Sequence, residues 1–169
     1  MKYRTIVADP PWRYTARAED VTHRGRCPYP TMTQAELLAL TVPADDPAHL
    51  YLWVTNAFMV DGHQLASAWG FNVKTILTWV KPQIGLGNYF RNNTEHVLFC
   101  VRGSLPVQRH DIATAFTANR TRHSEKPDLF YDLVEMMSPG PYVEMFTRRL
   151  RLGWDGWGNE WYENESVAL

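Results

Sequence analysis

RTIVADPPW, residues Arg4 to Trp12, is a short apolar run stopped by an acid and two prolines. Ile6, Val7 and Ala8 suit a strand buried on both faces, and Pro10 and Pro11 cannot continue its hydrogen-bond ladder. The rest of the chain alternates in the same way. Thr33 to Leu40 opens with a capping box, Thr33 with Glu36 three residues on, and reads as a helix. HLYLWVT (His49 to Thr55) is a continuous apolar run, again a strand buried on both faces. Phe58, Leu65, Ala66 and Trp69 share one helical face, and Gly70 ends that helix. Lys74 to Val80 and Glu95 to Val101 are further β runs. Ser124 would cap a helix with Pro127 in its first turn, and Phe130, Leu133, Val134 and Met137 follow at helical spacing. Ser138-Pro139-Gly140 then turns into a strand from Tyr142 to Phe146. Strands alternating with helices predict an α/β fold, a mostly parallel sheet flanked by helices. In such sheets the ligand sits beyond the carboxyl ends of the strands, so the loops after Ala8, Val80 and Phe146 should carry the chemistry.

The chain has 169 residues, which fits one domain spanning 1–169 with a core of useful size. At 45% hydrophobic and 21% charged, it is neither disordered, collagen-like nor coiled-coil. No stretch approaches the ~20 apolar residues that span a bilayer, and the N-terminus has no apolar signal region. A cytoplasmic setting without a membrane partner is therefore expected. Cys27 and Cys100 make no disulfide framework and no paired zinc spacing, so no metal is expected. His49, His63 and His96 sit in or beside apolar segments and read as structural. The net charge of −1 excludes a strongly basic nucleic-acid binder, but the charge is unevenly spread. Between Gly62 and Arg122 the only acids are Glu95 and Asp111, against Lys74, Lys81, Arg91, Arg102, Arg109, Arg120 and Arg122. Thirteen of the 17 basic residues are arginine, which suits phosphate recognition. One basic face and a merely solvated loop surface both fit this pattern.

Asp9-Pro10-Pro11-Trp12 has a chemical logic. The prolines fix their own backbone and lack an N–H, so the Pro10 carbonyl can be held rigidly as an acceptor beside the Asp9 carboxylate. Two acceptors match an amino group with two N–H bonds. Trp12, or Tyr14 beyond it, offers a flat face for a planar base. The same four residues also suit a proline-stiffened turn with a capping aspartate. Lys81 leaves a β run toward the expected cleft, as a ligand or as a surface lysine with a buried stem. The loop Ile84 to Tyr89 lacks the spacing of a phosphate cradle. With Arg91, Asn92 and Asn93 it reads as a lid near a substrate or as a plain connection. No G-x-G-x-x-G follows the first strand, which excludes a dinucleotide fingerprint.

Beyond single motifs, the chain resembles the MT-A70 family, the N(6)-adenosine methyltransferases of eukaryotic messenger RNA and their small bacterial and phage relatives. The resemblance is carried by ADPPW (Ala8 to Trp12), YPTMT (Tyr29 to Thr33), LYLWVTN (Leu50 to Asn56), WGF (Trp69 to Phe71) and LTWVKP (Leu77 to Pro82). It continues through TEHVLFCVRG (Thr94 to Gly103), HSEKPD (His123 to Asp128), SPG (Ser138 to Gly140), VEMFTRR (Val143 to Arg149) and GWDGWGNE (Gly153 to Glu160). These blocks stand in the family's order over nearly the whole chain. The resemblance implies a Rossmann-like methyltransferase fold in permuted order, with the catalytic strand first and the S-adenosylmethionine half last. Asp9, Pro10, Pro11 and Trp12 would be catalytic. Asp9, Lys81, His123, Ser124, Lys126, Glu144, Phe146, Arg148 and Asn159 would contact S-adenosylmethionine. Trp12, Tyr14, Tyr29, Arg91 and Asn92 would contact the substrate. The broader class usually has a glycine loop after the phenylalanine. Here Thr147-Arg148-Arg149 stands in its place, which favours side-chain contact from Arg148.

The implied activity is methyl transfer to the 6-amino group of adenine in nucleic acid, with DNA favoured over RNA. The base would flip out of a duplex or be presented single-stranded. The interval Ser104 to Arg122 is short for a target-recognition segment, so relaxed or very short sequence specificity is expected unless a partner subunit supplies it. A homodimer is equally compatible. Two other readings remain at this stage: cytosine N(4)-methylation, because the same acceptors suit any exocyclic amine, and a catalytically silent nucleic-acid-binding subunit.

Overall fold

β1 (Tyr3–Ala8) takes an inner place in a sheet of seven strands among the described residues. The computed structural model describes residues 1–13, 30–85, 89–120, 125–147 and 149–158. After β1 come α1 (Gln34–Leu38), β2 (Ala44–Val54), α2 (Met59–Ala68), β3 (Asn72–Val80) and β4 (Thr94–Arg102). β5 (Ala115–Thr117), α3 (Asp128–Met137), β6 (Tyr142–Met145) and β7 (Trp154–Trp157) complete the order. In space the strands run β5-β3-β4-β2-β1-β6-β7. β1 pairs in parallel with β2 and β6, β6 with β7, and β3 with β5. β4 is antiparallel to both of its neighbours, β2 and β3. The sheet is thus the mostly parallel one expected, with a single strand reversed.

The alternation of side chains along the inner strands builds two cores. Ile6, Ala8, Leu50, Leu52 and Val54 point to one face, where they pack with Leu65, Ala66 and Trp69 of the α2 region and Leu37 of α1. Val7, Tyr51 and Trp53 point to the other, against Phe130, Tyr131 and Val134 of α3 and Trp154 of β7. This explains why β2 reads as a continuous apolar run: both of its faces are covered. The Thr33 capping box forms as its spacing predicts, with the Thr33 and Glu36 side chains each satisfying the other's backbone N–H. Gly70 takes φ +79 just past α2, a conformation that favours glycine at a helix end.

Three features differ from the sequence reading. β5 lies within the interval read as an arginine-containing loop. It is only three residues long and pairs only with Thr78–Val80, too little to leave a pattern. β7 contains Asp155 and Gly156, which mask its strand character, yet it closes the sheet against β6. Pro127 stands at the N-cap of α3 in extended backbone, and not in the first turn; the helix begins at Asp128.

Candidate active site

The reversal of β4 decides what meets at one edge of the sheet. β1, β3 and β6 leave it at Ala8, Val80 and Met145, and β4 enters it at Thr94. Asp9 and Lys81, just past their strands, therefore meet Glu95, the second residue of β4. Lys126, just before α3, completes the group. Its Nζ lies 3.1 Å from Asp9 Oδ2 and 2.9 Å from Glu95 Oε2. Lys81 Nζ bonds the other Glu95 oxygen, Oε1. Each ammonium also lies over a core indole at 4.5 Å, Lys126 over Trp53 and Lys81 over Trp79.

Two carboxylates face two ammoniums, so their formal charges cancel across the group. Burial alone would discharge Lys126, but Asp9 and Glu95 outweigh it and hold its pKa above the ordinary lysine value. Burial likewise opposes the Glu95 charge, and Lys126 and Lys81 outweigh it, leaving the carboxyl below its usual range.

A cleft opens beside this group, lined by Asp9, Lys126, Tyr131, Glu144, Phe146 and Arg151 among others. Glu144 is nearly buried. Tyr131 donates its hydroxyl to Oε1 at 2.6 Å and Thr147 donates to Oε2 at 3.0 Å. Burial nonetheless pushes the Glu144 carboxyl upward. The Tyr131 hydroxyl is raised as well, first by burial and then by Glu144. Phe146 follows β6 with φ +66, the left-handed region that an aromatic residue rarely adopts. Its N–H donates to the Trp157 carbonyl at 2.6 Å, and its ring packs on Trp157 at 5.2 Å. Gly158 lets the two segments close: a Cβ there would stand 2.7 Å from the Thr147 carbonyl oxygen.

The Pro10–Trp12 turn is tighter than the sequence suggests. The Trp12 N–H donates to the Pro10 carbonyl at 2.8 Å, closing a three-residue turn. Pro10 O is therefore held rigidly, as expected, but one of its two lone pairs is already used. Met32 N–H donates to Pro11 O at 2.9 Å and ties the turn to the segment before α1. Trp12 corrects the reading of it as an open stacking face. It is 7% exposed, stacks on Phe58 at 5.1 Å and 11°, and donates Nε1–H to the Trp53 carbonyl at 3.2 Å. Its apolar area is spent in the core.

The structure thus brings Asp9, Lys126, Glu144 and Phe146 to one cleft, with Pro10 buried next to Asp9 in the chain. Lys81 sits behind it, engaged by Glu95 and not among the cleft-lining residues. Arg91 and Asn92 lie exposed in the β3–β4 connection. Tyr14, Tyr29, His123, Ser124, Arg148 and Asn159 lie outside the described residues, as does Cys27. His49 is structural as read: its ring nitrogens meet Ser138 Oγ and Leu105 O, each at 2.8 Å. His96 bonds Thr78 and Asn56, while His63 is exposed on α2.

Glu95 and Tyr131 are the functional candidates that the sequence reading missed. The signal for Glu95 was present. Two β runs joined without a helix make an antiparallel pair, so the start of the second must lie beside the end of the first.

The MT-A70 family model matches residues 3–160. The chain belongs to the MT-A70 family. It is 32% identical to "Type II methyltransferase M.MunI" of a Mycoplasma species, a match covering 97% of this chain and 80% of that protein. A "Putative N(6)-adenosine-methyltransferase MT-A70-like" of Medicago truncatula is also 32% identical, over 94% of this chain and 26% of its own length. The human "N(6)-adenosine-methyltransferase catalytic subunit METTL3" is 29% identical, over 94% and 28%. This MT-A70 chain therefore spans four-fifths of the Mycoplasma relative and about a quarter of the plant and human ones. Its α/β sheet and flanking helices are the Rossmann-like methyltransferase fold that membership implies.

Proposed function

We propose that this chain methylates the 6-amino group of adenine in nucleic acid, with DNA preferred over RNA. As an MT-A70 member it is an S-adenosylmethionine-dependent methyltransferase. The observation that carries the site assignment is Asp9, a carboxylate fixed by Lys126 among the lining residues of a cleft and followed in the chain by a rigidly held carbonyl. The preference for DNA rests on the chain's resemblance to the small bacterial and phage members of the family.

The cleft fits S-adenosylmethionine by its chemistry. Glu144 keeps lone pairs beyond those used by Tyr131 and Thr147 and can accept from hydroxyl or amino groups. Phe146 offers an aromatic surface, and Lys126 and Arg151 supply positive charge. When bound, the cofactor supplies a methyl group on a positively charged sulfur. His123, Ser124, Arg148 and Asn159 join this set by motif, as Tyr14 and Tyr29 join the substrate set.

Asp9 does the central work. Lys126 takes Asp9 Oδ2 and leaves Oδ1 for one amino N–H of adenine. The remaining lone pair of the Pro10 carbonyl accepts the other N–H. Two acceptors on the N–H bonds push electron density back onto a nitrogen whose lone pair is otherwise delocalised into the ring. They also fix the direction in which that lone pair points, and alignment is a large part of the barrier. As positive charge grows on nitrogen, the Asp9 carboxylate stabilises it in place. The amino group is too weak an acid to ionise first, so the proton leaves the methylated nitrogen afterwards, with Asp9 the nearest base. Glu95 and Lys126 are positioning residues: Lys126 holds the Asp9 carboxylate in its geometry, and Glu95 holds Lys126.

The test is transfer of labelled methyl to duplex DNA, single-stranded DNA, RNA and free adenosine, with digestion to nucleosides and Asp9→Ala alongside. The expected product is N(6)-methyladenine in DNA, lost in the variant. Label on cytosine would replace the base assignment. Label in RNA alone would reverse the polymer preference. Cofactor binding without transfer to any substrate would favour a silent or incomplete subunit.

A further inference from the structure

The connection between β3 and β4 leaves the site edge at Lys81 and returns to it at Thr94. Its root is pinned. Lys81 N–H donates to Asn93 O at 2.7 Å, Asn93 Nδ2 donates to Lys81 O at 3.3 Å, and Gly85 N–H donates to Asn92 O at 2.7 Å. Gln83 Nε2 donates to Asn119 Oδ1 at 3.4 Å, which braces the loop against the segment after β5. On this braced root stand two adjacent aromatics, Tyr89 and Phe90, 93% and 90% exposed. Such side chains in sequence are a large apolar cost in water unless something covers them.

The surroundings say what kind of partner fits. Residues 81–93 contain Lys81 and Arg91 and no acid. The Arg120 guanidinium lies against the loop: a Cβ on Gly85 would stand 3.3 Å from its Nη2. Among the described residues of the loop, Ile84 is the one other exposed large apolar side chain, and exposed aromatics beside arginine and asparagine suit stacked bases on a phosphate strand better than an apolar protein groove. We propose that Tyr89 and Phe90 form a base-stacking platform that holds the nucleic-acid strand next to the Asp9 cleft, with Arg91 and Arg120 on its phosphates. This rests on the methyltransferase reading of the cleft. It also replaces Trp12, whose ring is buried, as the stacking surface of the substrate side.

The platform is tested by fluorescence anisotropy with adenine-containing 20-nucleotide probes as single-stranded DNA, duplex DNA and RNA. The proteins are the wild type, a Tyr89→Ala/Phe90→Ala variant and a Tyr89→Phe/Phe90→Tyr variant. The alanine pair should weaken the Kd for the preferred probe by about tenfold or more, the scale of losing a stacked base. It should leave S-adenosylmethionine binding unchanged, and the aromatic swap should bind like the wild type. Ultraviolet cross-linking to a 5-iodouracil probe should label the peptide carrying residues 89–90. An unchanged Kd in the alanine pair, with methyl transfer intact in the wild type, overturns the platform and leaves the cleft reading standing. So does a dimer that turns monomeric in the alanine pair at constant probe affinity, since a second copy would then be the occupant. A wild type that binds and methylates no probe overturns both.

Discussion

Two polar clusters, one part-buried and one buried, sit at different places in this sheet, and they are built on opposite principles. At the edge where β1, β3 and β6 end, Asp9, Glu95, Lys81 and Lys126 are charged, and the group borders an open cleft. Farther back along β2, His49, Tyr51 and Ser138 are neutral and closed upon themselves. Tyr51 and His49 both meet Ser138 Oγ, at 2.7 and 2.8 Å, and Leu105 O takes the other ring nitrogen. Burial lowers the His49 pKa and keeps the ring uncharged. The closed cluster satisfies its members and stops there, which is what a structural network requires. The charged cluster keeps acceptor capacity in reserve toward the cleft. Polar burial alone therefore does not mark a site; reserve capacity beside open space does.

Removing Asp9's charge should give the largest effect. Asp9→Asn should cut kcat about 10²- to 10³-fold, as loss of a preorganised electrostatic partner does. Single-turnover methyl transfer checks it, and a variant within threefold of wild type would refute the assignment. Next comes Glu95→Gln, which leaves Lys81 and Lys126 sharing one carboxylate less. It should cost about 3 kcal/mol in urea unfolding, the low end for a broken buried pair. It should also slow transfer, and adding Lys81→Met should recover part of the stability. His49→Leu takes the imidazole partner from the Leu105 carbonyl and leaves Ser138 Oγ with Tyr51, and should cost about 2 kcal/mol, while Tyr51→Phe should cost about 1 kcal/mol. Neither should change kcat; a matching loss of activity would erase the distinction between the clusters.

The smallest effect is in pH. Glu95 has a lowered folded pKa, so its contribution is present above its unfolded value of about 4.5 and is lost as pH falls through the folded value. Lys126 has a raised folded pKa, so its share is present below about 10.5 and is lost as pH rises through the folded value. His49 is lowered from 6.5, so the closed cluster is at full strength above that pH and weakens as pH falls below it. The His96 pKa is lowered by burial in the same sense. Between about pH 6.5 and 4.5 the neutral cluster should soften while the charged one holds. His49→Gln should flatten that part of a Tm-against-pH curve, leaving a residual slope from His96.

Much of this was legible in the chain, for identifiable reasons. The apolar runs of β1, β2 and β4 and the Thr33–Glu36 box are local patterns, and local patterns survive folding. Asp9 was legible because proline chemistry and strand position coincide there. Trp12 was misread because its neighbours in sequence are polar and turn-like. The partners that bury it, Phe58 and Trp53, come from residues more than forty positions away. Glu95 was passed over because its role depends on strand direction, which no single run of residues declares.

That direction has a consequence for how such a protein can change. In an ordinary parallel crossover the chain leaves the active edge and must travel to the far side before the next strand. Because β4 runs backward, the 81–93 excursion departs from and returns to the same edge. It is a cassette with both ends anchored at Lys81 and Asn93. Its interior can be lengthened or exchanged at a cost that grows only with the logarithm of its length. The sheet behind need not shift. Evolution and protein engineers alike have here a graft point that leaves the Asp9, Glu95 and Lys126 cluster in place.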